Sequence, residues 1–518
     1  MGIRNELGPV KKGNRTYLPP ATHILSRKEK IVLCKFLHEV KVPEGYSSNI
    51  KNLVCMKDLK LKGLKTHDCH IIMEHLLPIG IRSILPEKVR LALTRLCFFF
   101  REICSKVIDP QKLPTLQREI VVTLCELEMY FPPSFFNIMV HLTVHLVKET
   151  QLCGPAYMRW MYPIERYMKI LKGYVKSRSR PEGCIAERYI VEEAAEFCTE
   201  YLSNVESIGL PMSRHSGRLS GEGITGRRLL TISRTEWEQA QLYVLHNDDE
   251  VQPYVTIHID QLSPLNMNRN QNWITREHNR SFITWLKNHI KSKFDIDPGS
   301  ISNRLRWLAN GPSLHVFSYT GYVINGYTFY TKEQDDQTTM QNSGVTLVAE
   351  AMHVSSAKDK NPIYANLSYF GVIERIWELD YTMFRVPIFG CKWVDNNNGV
   401  RIDESGFLLV DFNRVGYKDE PFILASQAQQ VFYVTDPSND KWSVVLSTNK
   451  ISDDNNNDED VGNDLLFATS QQPHEIDSTD DGLYLRDDHD EGIWINPSFR
   501  IVNGQTNVNP TRKRRRAS

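Results

Sequence analysis

Residues 316–331, VFSYTGYVINGYTFYT, lie where the chain turns from helical to strand periodicity, and they decide the fold class. β-branched and aromatic residues crowd the stretch, and Asn325-Gly326 supplies the two positions that a tight hairpin turn demands. Downstream, GVTLVAEAMHV, YFGVIERIWELDY, RVPIFGCKWV, FLLVDFNRV, QVFYVTD and WSVVLS repeat the pattern between Gly, Asn and Asp punctuation. Such short strands predict a small antiparallel β-barrel or sandwich over 314–447. Its aromatics (Tyr319, Tyr322, Tyr327, Tyr330, Tyr369, Phe370, Trp377, Tyr381 and Trp393) read as core in preference to a binding cage.

Upstream, 84–206 reads as one α-helical domain. Val89, Ala92, Leu93, Leu96, Phe99, Phe100 and Ile103 recur at three- and four-residue steps after Pro86. Leu116, Ile120, Leu124 and Leu127 mark a second helix that must stop before Pro132-Pro133. Ser134 is expected to cap a third, with Phe135, Ile138, Met139, Leu142 and Leu146 as its buried stripe. Helices over 163–176 and 186–203 complete the set. Residues 207–235, rich in Ser, Gly and Arg, read as a linker, and 236–313 as a short helical segment anchored by Trp273, Phe282, Trp285 and Leu286. Residues 1–83 form an N-terminal segment. The chain is thus read as multidomain α + β, ending in an acidic, Asn-rich tail at 448–518 that is expected to be disordered.

The 518 residues carry 62 basic and 62 acidic side chains, so any affinity for nucleic acid must come from local segregation of charge. Ten scattered cysteines without a CxxC pair argue for reduced thiols, and against a disulfide scaffold or zinc ribbon. The apolar run at 89–100 is interrupted by Arg90 and Arg95 and is too short for a bilayer, so no membrane partner is expected. Arg512, Lys513, Arg514, Arg515 and Arg516 close the chain and read equally as a nuclear-import signal or as a basic run without that role; the first reading points to the nucleus, with the cytoplasm as the alternative.

The segregated charge lies in RWMYPIERYMKILKGYVKSRSR, residues 159–180. A helix from Pro163 would place Ile164, Met168, Leu171 and Val175 on one side, and Glu165, Lys169, Lys172 and Lys176 on another. Arg159, Arg166, Arg178 and Arg180 extend the basic face, and Trp160, Tyr162, Tyr167 and Tyr174 interleave rings able to pack on sugars or bases. The plainer reading is a solvated helix in which Glu165 pairs with Lys169. His141 and His145 have the i, i+4 spacing of metal ligands but lack the Glu of a zinc-protease motif. They read as a polar flank. His67, Asp68, Cys69 and His70 cluster tightly, with Asp68 expected to cap a helix start, so no metal site is assigned. Neither a phosphate-cradling glycine loop nor a nucleophile elbow is present.

The strings YLPPATHILSRKEK, VPEGYSSNIKNLVCMKDLKLKGLKTHDCHIIM, LPEKVRLALTRLCFFFREICSKVI, LQREIVVTLCELEMYFPPSFFNIMVHLTVHLV, GPAYMRWMYPIERYMKILKGYV and RPEGCIAERYIVEEAAEFC resemble the C-terminal part of plant CACTA (En/Spm-type) transposases. A second block, EHNRSFITWL through FILASQAQQVFYVTDP, resembles the further domain of unknown function that follows in those proteins. The resemblance implies descent from an enzyme whose RNase H-like core holds two divalent metals, such as Mg, on three acids. It also implies that this chain begins after the first two acids, leaving Glu165 as the candidate remnant of the third. The expectation is therefore no enzyme activity and no cofactor. Two roles remain open: nonspecific contact with the DNA backbone through 159–180, or binding of a full-length transposase or chromatin protein by the β-rich domain. A nonfunctional transposon relic is a further alternative.

Overall fold

The computed structural model describes residues 7–13, 15–177, 179–201, 221–266, 271–353, 363–448 and, near the chain end, 486, 488, 489, 491 and 493–495. Those residues form two units. One comprises residues up to His38, Val54–Trp160 and the described residues from Arg486 on; the other comprises Glu39–Leu53 and Met161 to Thr448. The stretch expected as one helical domain, 84–206, is shared between them.

In the first unit, α1 (Arg27–Glu39) begins, and α2 (Thr66–Ile71) runs into a π-helical turn at Ile72–Leu76. Pro78 accounts for that turn: its ring displaces the carbonyl four residues back, and the Leu77 N–H reaches Ile72 O instead. The next helix, α3 (Glu87–Ile103), follows Pro86 and buries Val89, Ala92, Phe99 and Ile103. Then α4 (Leu113–Tyr130) buries Ile120 and Leu127 and stops at Phe131, ahead of the two prolines. Both agree with the apolar period.

The third helix, α5 (Ile138–Cys153), corrects the sequence reading. Ser134 lies in a 3-10 turn at Pro133–Phe135, and the cap is Asn137, whose Oδ1 accepts from Met139 N at 3.0 Å and Val140 N at 3.2 Å. Thr143, Val147 and Thr150 are the buried line, whereas Ile138 and Met139 are each 67% exposed. Threonine can occupy that face because the Thr143 hydroxyl donates to Val140 O at 2.7 Å, while Val147 joins Phe99, Ile103 and Ile120 in one core.

Only a short part of the tail, between residues 486 and 495, departs from expectation. Residues 449–485 and the basic run 512–516 lie outside the described residues. Ile493–Ile495, however, pairs antiparallel with Arg15–Leu18, which itself pairs with Val10–Lys12. Arg486 is buried, donating to Glu29 Oε1 at 2.8 Å, to Asp488 Oδ1 at 2.7 Å and to Ile24 O at 3.3 Å. An arginine with three acceptors can enter a core that an unpaired one cannot.

In the second unit, α6 (Tyr162–Tyr174) and α7 (Pro181–Tyr201) pack on each other. The linker expected at 207–235 is corrected in its second half: Glu222–Thr225 pairs with Gly321–Ile324, and Arg228–Thr231 with His315–Tyr319. The helical segment is larger than expected. It consists of α8 (Arg234–His246), α9 (Gln252–Leu262), α10 (Gln271–Ile296) and α11 (Asn303–Asn310). Ser233 and Glu236 close a capping box at the start of α8, and Glu236 also takes Arg375 Nη1 at 2.7 Å. Phe282 and Leu286 are buried anchors as expected, in a core with Trp237, Leu308, Val316, Trp377 and Phe422 that joins these helices to the sheet.

The β-rich region is an open antiparallel sheet of 11 strands, whose long members are Gly344–His353, Ile363–Asp380 and Arg385–Val394. The chain is therefore α + β, and of the two expected forms the unclosed sheet is compatible with a sandwich and not with a barrel. The opening stretch 316–331 divides into three strands, with Asn325 (φ +52°) and Gly326 (φ +78°) turning between Gly321–Ile324 and Tyr327–Tyr330. At Gly344 a Cβ would lie 2.1 Å from Val431 O, so the approach to Gln429–Thr435 requires glycine. Tyr319, Tyr322, Phe370, Trp377, Tyr381 and Trp393 are buried, the core role expected for them. Tyr319 and Tyr322 keep their hydroxyls satisfied by donating to Glu378 at 3.0 and 3.1 Å.

Candidate functional site

The middle of the basic segment folds as helix α6, with exposed cations on it and on either side of it. Pro163, in the first turn of α6, needs no backbone partner there, and α6 gives way to extended backbone at Val175. Lys169 and Lys172 on the helix, Lys176 and Arg180 beyond it and Arg159 before it are all exposed. The Arg166 side chain and Arg178 lie outside the described residues. Glu165 is exposed in the first turn, and among the described residues neither it nor Lys169 has an ion-pair partner. The expected apolar stripe is only partly covered, since Ile164 and Met168 are 52% and 58% exposed while Leu171 and Val175 are half-buried. Of the rings expected to interleave the charges, Tyr167 is exposed and Trp160 and Tyr174 are half-buried.

The neighbouring helix α7 is rich in glutamate, and two of its acids, Glu192 and Glu193, are engaged elsewhere. The Tyr174 hydroxyl donates to Glu192, which raises its pKa to about 12, and Arg188 Nε lies 3.4 Å from the same carboxylate. Tyr189 donates to Glu193 at 3.0 Å. The lysines of α6 therefore face solvent with their charge uncompensated by these contacts.

The histidine motifs resolve differently. His141 and His145 are exposed on α5, with Nε2 atoms 3.3 Å apart and rings edge to face. Asp68 is buried at the third position of α2, where Oδ2 accepts Lys65 N at 3.1 Å, the helix-start role expected of it. His70 turns instead to Glu74, Nδ1 to Oε1 at 2.8 Å, and Cys104 at the end of α3 comes within 4.8 Å of both. Burial, and then the Glu74 carboxylate, push the Cys104 thiol up to about 12. Sequence reasoning missed Glu74 and Cys104; the i, i+4 spacing of His70 and Glu74 was the available signal. It also missed a chain of three histidines in the second unit. His278 places Nε2 at 3.0 Å from His246 Nε2, and Nδ1 at 2.9 Å from His258 Nδ1. His246 and His278 also line a cavity of about 280 Å³ with Gln252, Val255, Ile259 and Ile274.

Residues 103–215 match the family model described as Domain of unknown function (DUF4218), and residues 377–445 match Domain of unknown function (DUF4216); both are transposase-associated domains. The first match contains α4 to α7 and the basic segment, and the second lies in the sheet. No curated protein and no solved structure matches the chain. No helix among the described residues is long and apolar enough to cross a membrane.

Proposed function

We propose that this is a transposase-derived protein of the CACTA type that holds the DNA backbone without sequence preference and does not cut it. The observation that carries the reading is the line of exposed cations, Lys169, Lys172, Lys176 and Arg180, inside a transposase-associated domain. Lysine ammonium groups on flexible stems meet phosphate as point charges and read no base edges, so the expected contact is nonspecific. Each phosphate neutralised releases condensed counterions, which sets the salt dependence. Replacing Lys169, Lys172 and Lys176 together by Ala is expected to reduce the slope of log K against log salt by roughly 2 to 3. Fluorescence anisotropy with duplex DNA measures it, and an unchanged slope removes α6 from the interface.

Inactivity follows from the chemistry that in-line phosphodiester transfer requires. Two cations must be held by several carboxylates, and a single glutamate on an exposed helix turn binds a divalent ion weakly. Among the described residues, Glu165 belongs to no cluster of potential ligands. The purified chain with Mg is expected to leave supercoiled and transposon-end DNA intact. Cleavage that disappears in Glu165→Gln would overturn this part of the reading.

A further inference from the structure

The geometry points to a transition-metal site in the first unit, with His70, Glu74 and Cys104 as ligands to one Zn(II) ion and a fourth position open to solvent or a small ligand. One nitrogen, one carboxylate oxygen and one sulfur lie within 4.8 Å of one another. Closing that set around zinc needs ligand separations of about 3.3–3.8 Å, which follow from metal–ligand bonds of about 2.0–2.3 Å. The mixed donor set disfavours Mg and Ca, which take oxygen, and suits zinc or cobalt.

Three features of the surroundings support the assignment. Glu74 lies within the π turn at Ile72–Leu76, and such turns recur at functional sites. Glu74 is buried, and its Oε1 is held 2.8 Å from His70 Nδ1, which sets the nitrogen and the carboxylate oxygen side by side. The Trp160 ring stands 5.3 Å from that of His70, adding an apolar neighbour to the cluster. Metal binding would displace the Cys104 thiol proton. The site shares no residue with the basic segment's cations, so its test is independent of DNA binding.

The full chain, reduced and freed of metal, is titrated with Co(II) as a spectroscopic probe and with Zn(II) against a chromophoric chelator. The expected result is one equivalent bound, with a thiolate-to-cobalt charge-transfer band and the intense visible bands of a four-coordinate ion. Cys104→Ser should abolish the charge-transfer band, and His70→Ala should weaken affinity by about tenfold or more. Cys69→Ser, at the exposed neighbouring cysteine, should change nothing. Circular dichroism of each variant separates loss of metal from loss of fold. Absence of a thiolate band in the wild-type chain, or a band that survives Cys104→Ser in folded protein, overturns the assignment.

Discussion

Replacing Arg486 by Ala is expected to destabilise the first unit by about 3–5 kcal/mol, the range for removing one partner of a buried ion pair. The guanidinium is the hub of the contact: it bonds Glu29 and Asp488, and its own backbone N–H donates to Pro20 O at 3.0 Å. Burial alone would raise the pKa of Glu29, but hydrogen bonds from Arg486, Leu85 N–H and Ser26 override it and hold the carboxyl below its usual range. Asp488, bonded to the same arginine, is held at about 2. With Arg486 gone, Glu29 keeps Ser26 N at 2.8 Å and Leu85 N at 2.9 Å but loses its counter-charge. Because Ile493–Ile495 is paired to Arg15–Leu18, the loss should register there first. Hydrogen exchange is expected to show protection of residues 15–18 falling about a hundredfold or more, since each 1.4 kcal/mol is tenfold. Unchanged protection in the variant would mean that the chain end is not held through this arginine.

The second large effect is loss of stability in mild acid, from the histidine chain of the second unit. Ser281 Oγ donates to Glu277 O at 2.6 Å, so the 3.4 Å contact to His258 Nε2 assigns the proton to that nitrogen. His258 Nδ1 then accepts from His278 Nδ1, and His278 Nε2 accepts from His246 Nε2. One neutral tautomer of each ring satisfies the whole row, and a proton added to His258 Nδ1 or His278 Nε2 would set two N–H groups against each other. Burial holds His246 at about 4, and burial joined by the charges of His246 and His258 holds His278 at about 4, below the ordinary 6.5. Burial also lowers His258, with Glu277 opposing the shift. With the folded pKa depressed, the unfolded chain binds more protons below pH 6.5. The stabilisation is therefore complete above that value and lost as pH falls toward about 4. Even if the row is counted as one group, the slope is about 1.4 kcal/mol per pH unit. Urea midpoints between pH 7.5 and 5 measure it. His278→Gln, which cannot titrate, should flatten the dependence. An equal slope in wild type and variant would place the acid sensitivity elsewhere.

What the sequence made legible was whatever local period and turn chemistry specify. The spacing of Val89, Ala92, Phe99 and Ile103 and the double proline after Tyr130 set α3 and α4, and Asn325-Gly326 set its hairpin. The misreadings occur where tertiary partners decide. On α5, both the Ile138–Leu142 line and the Thr143–Val147–Thr150 line have helical spacing, and packing against α3 and α4 selects the second. Arg228–Thr231 carries no alternation and no buried side chain, so only its pairing with His315–Tyr319 makes it a strand. At the candidate site, the exposure of the α6 lysines followed from their dense spacing. The His70–Glu74–Cys104 cluster did not, because Cys104 is brought in by the fold across 30 residues of chain from Glu74.

The measurement that bears most directly on the account is binding of the purified chain to random-sequence and transposon-end duplexes over a series of salt concentrations. The account predicts comparable affinity for both duplexes and a steep linear fall of log K with log salt. No detectable binding at low salt, or an affinity indifferent to salt, would contradict it.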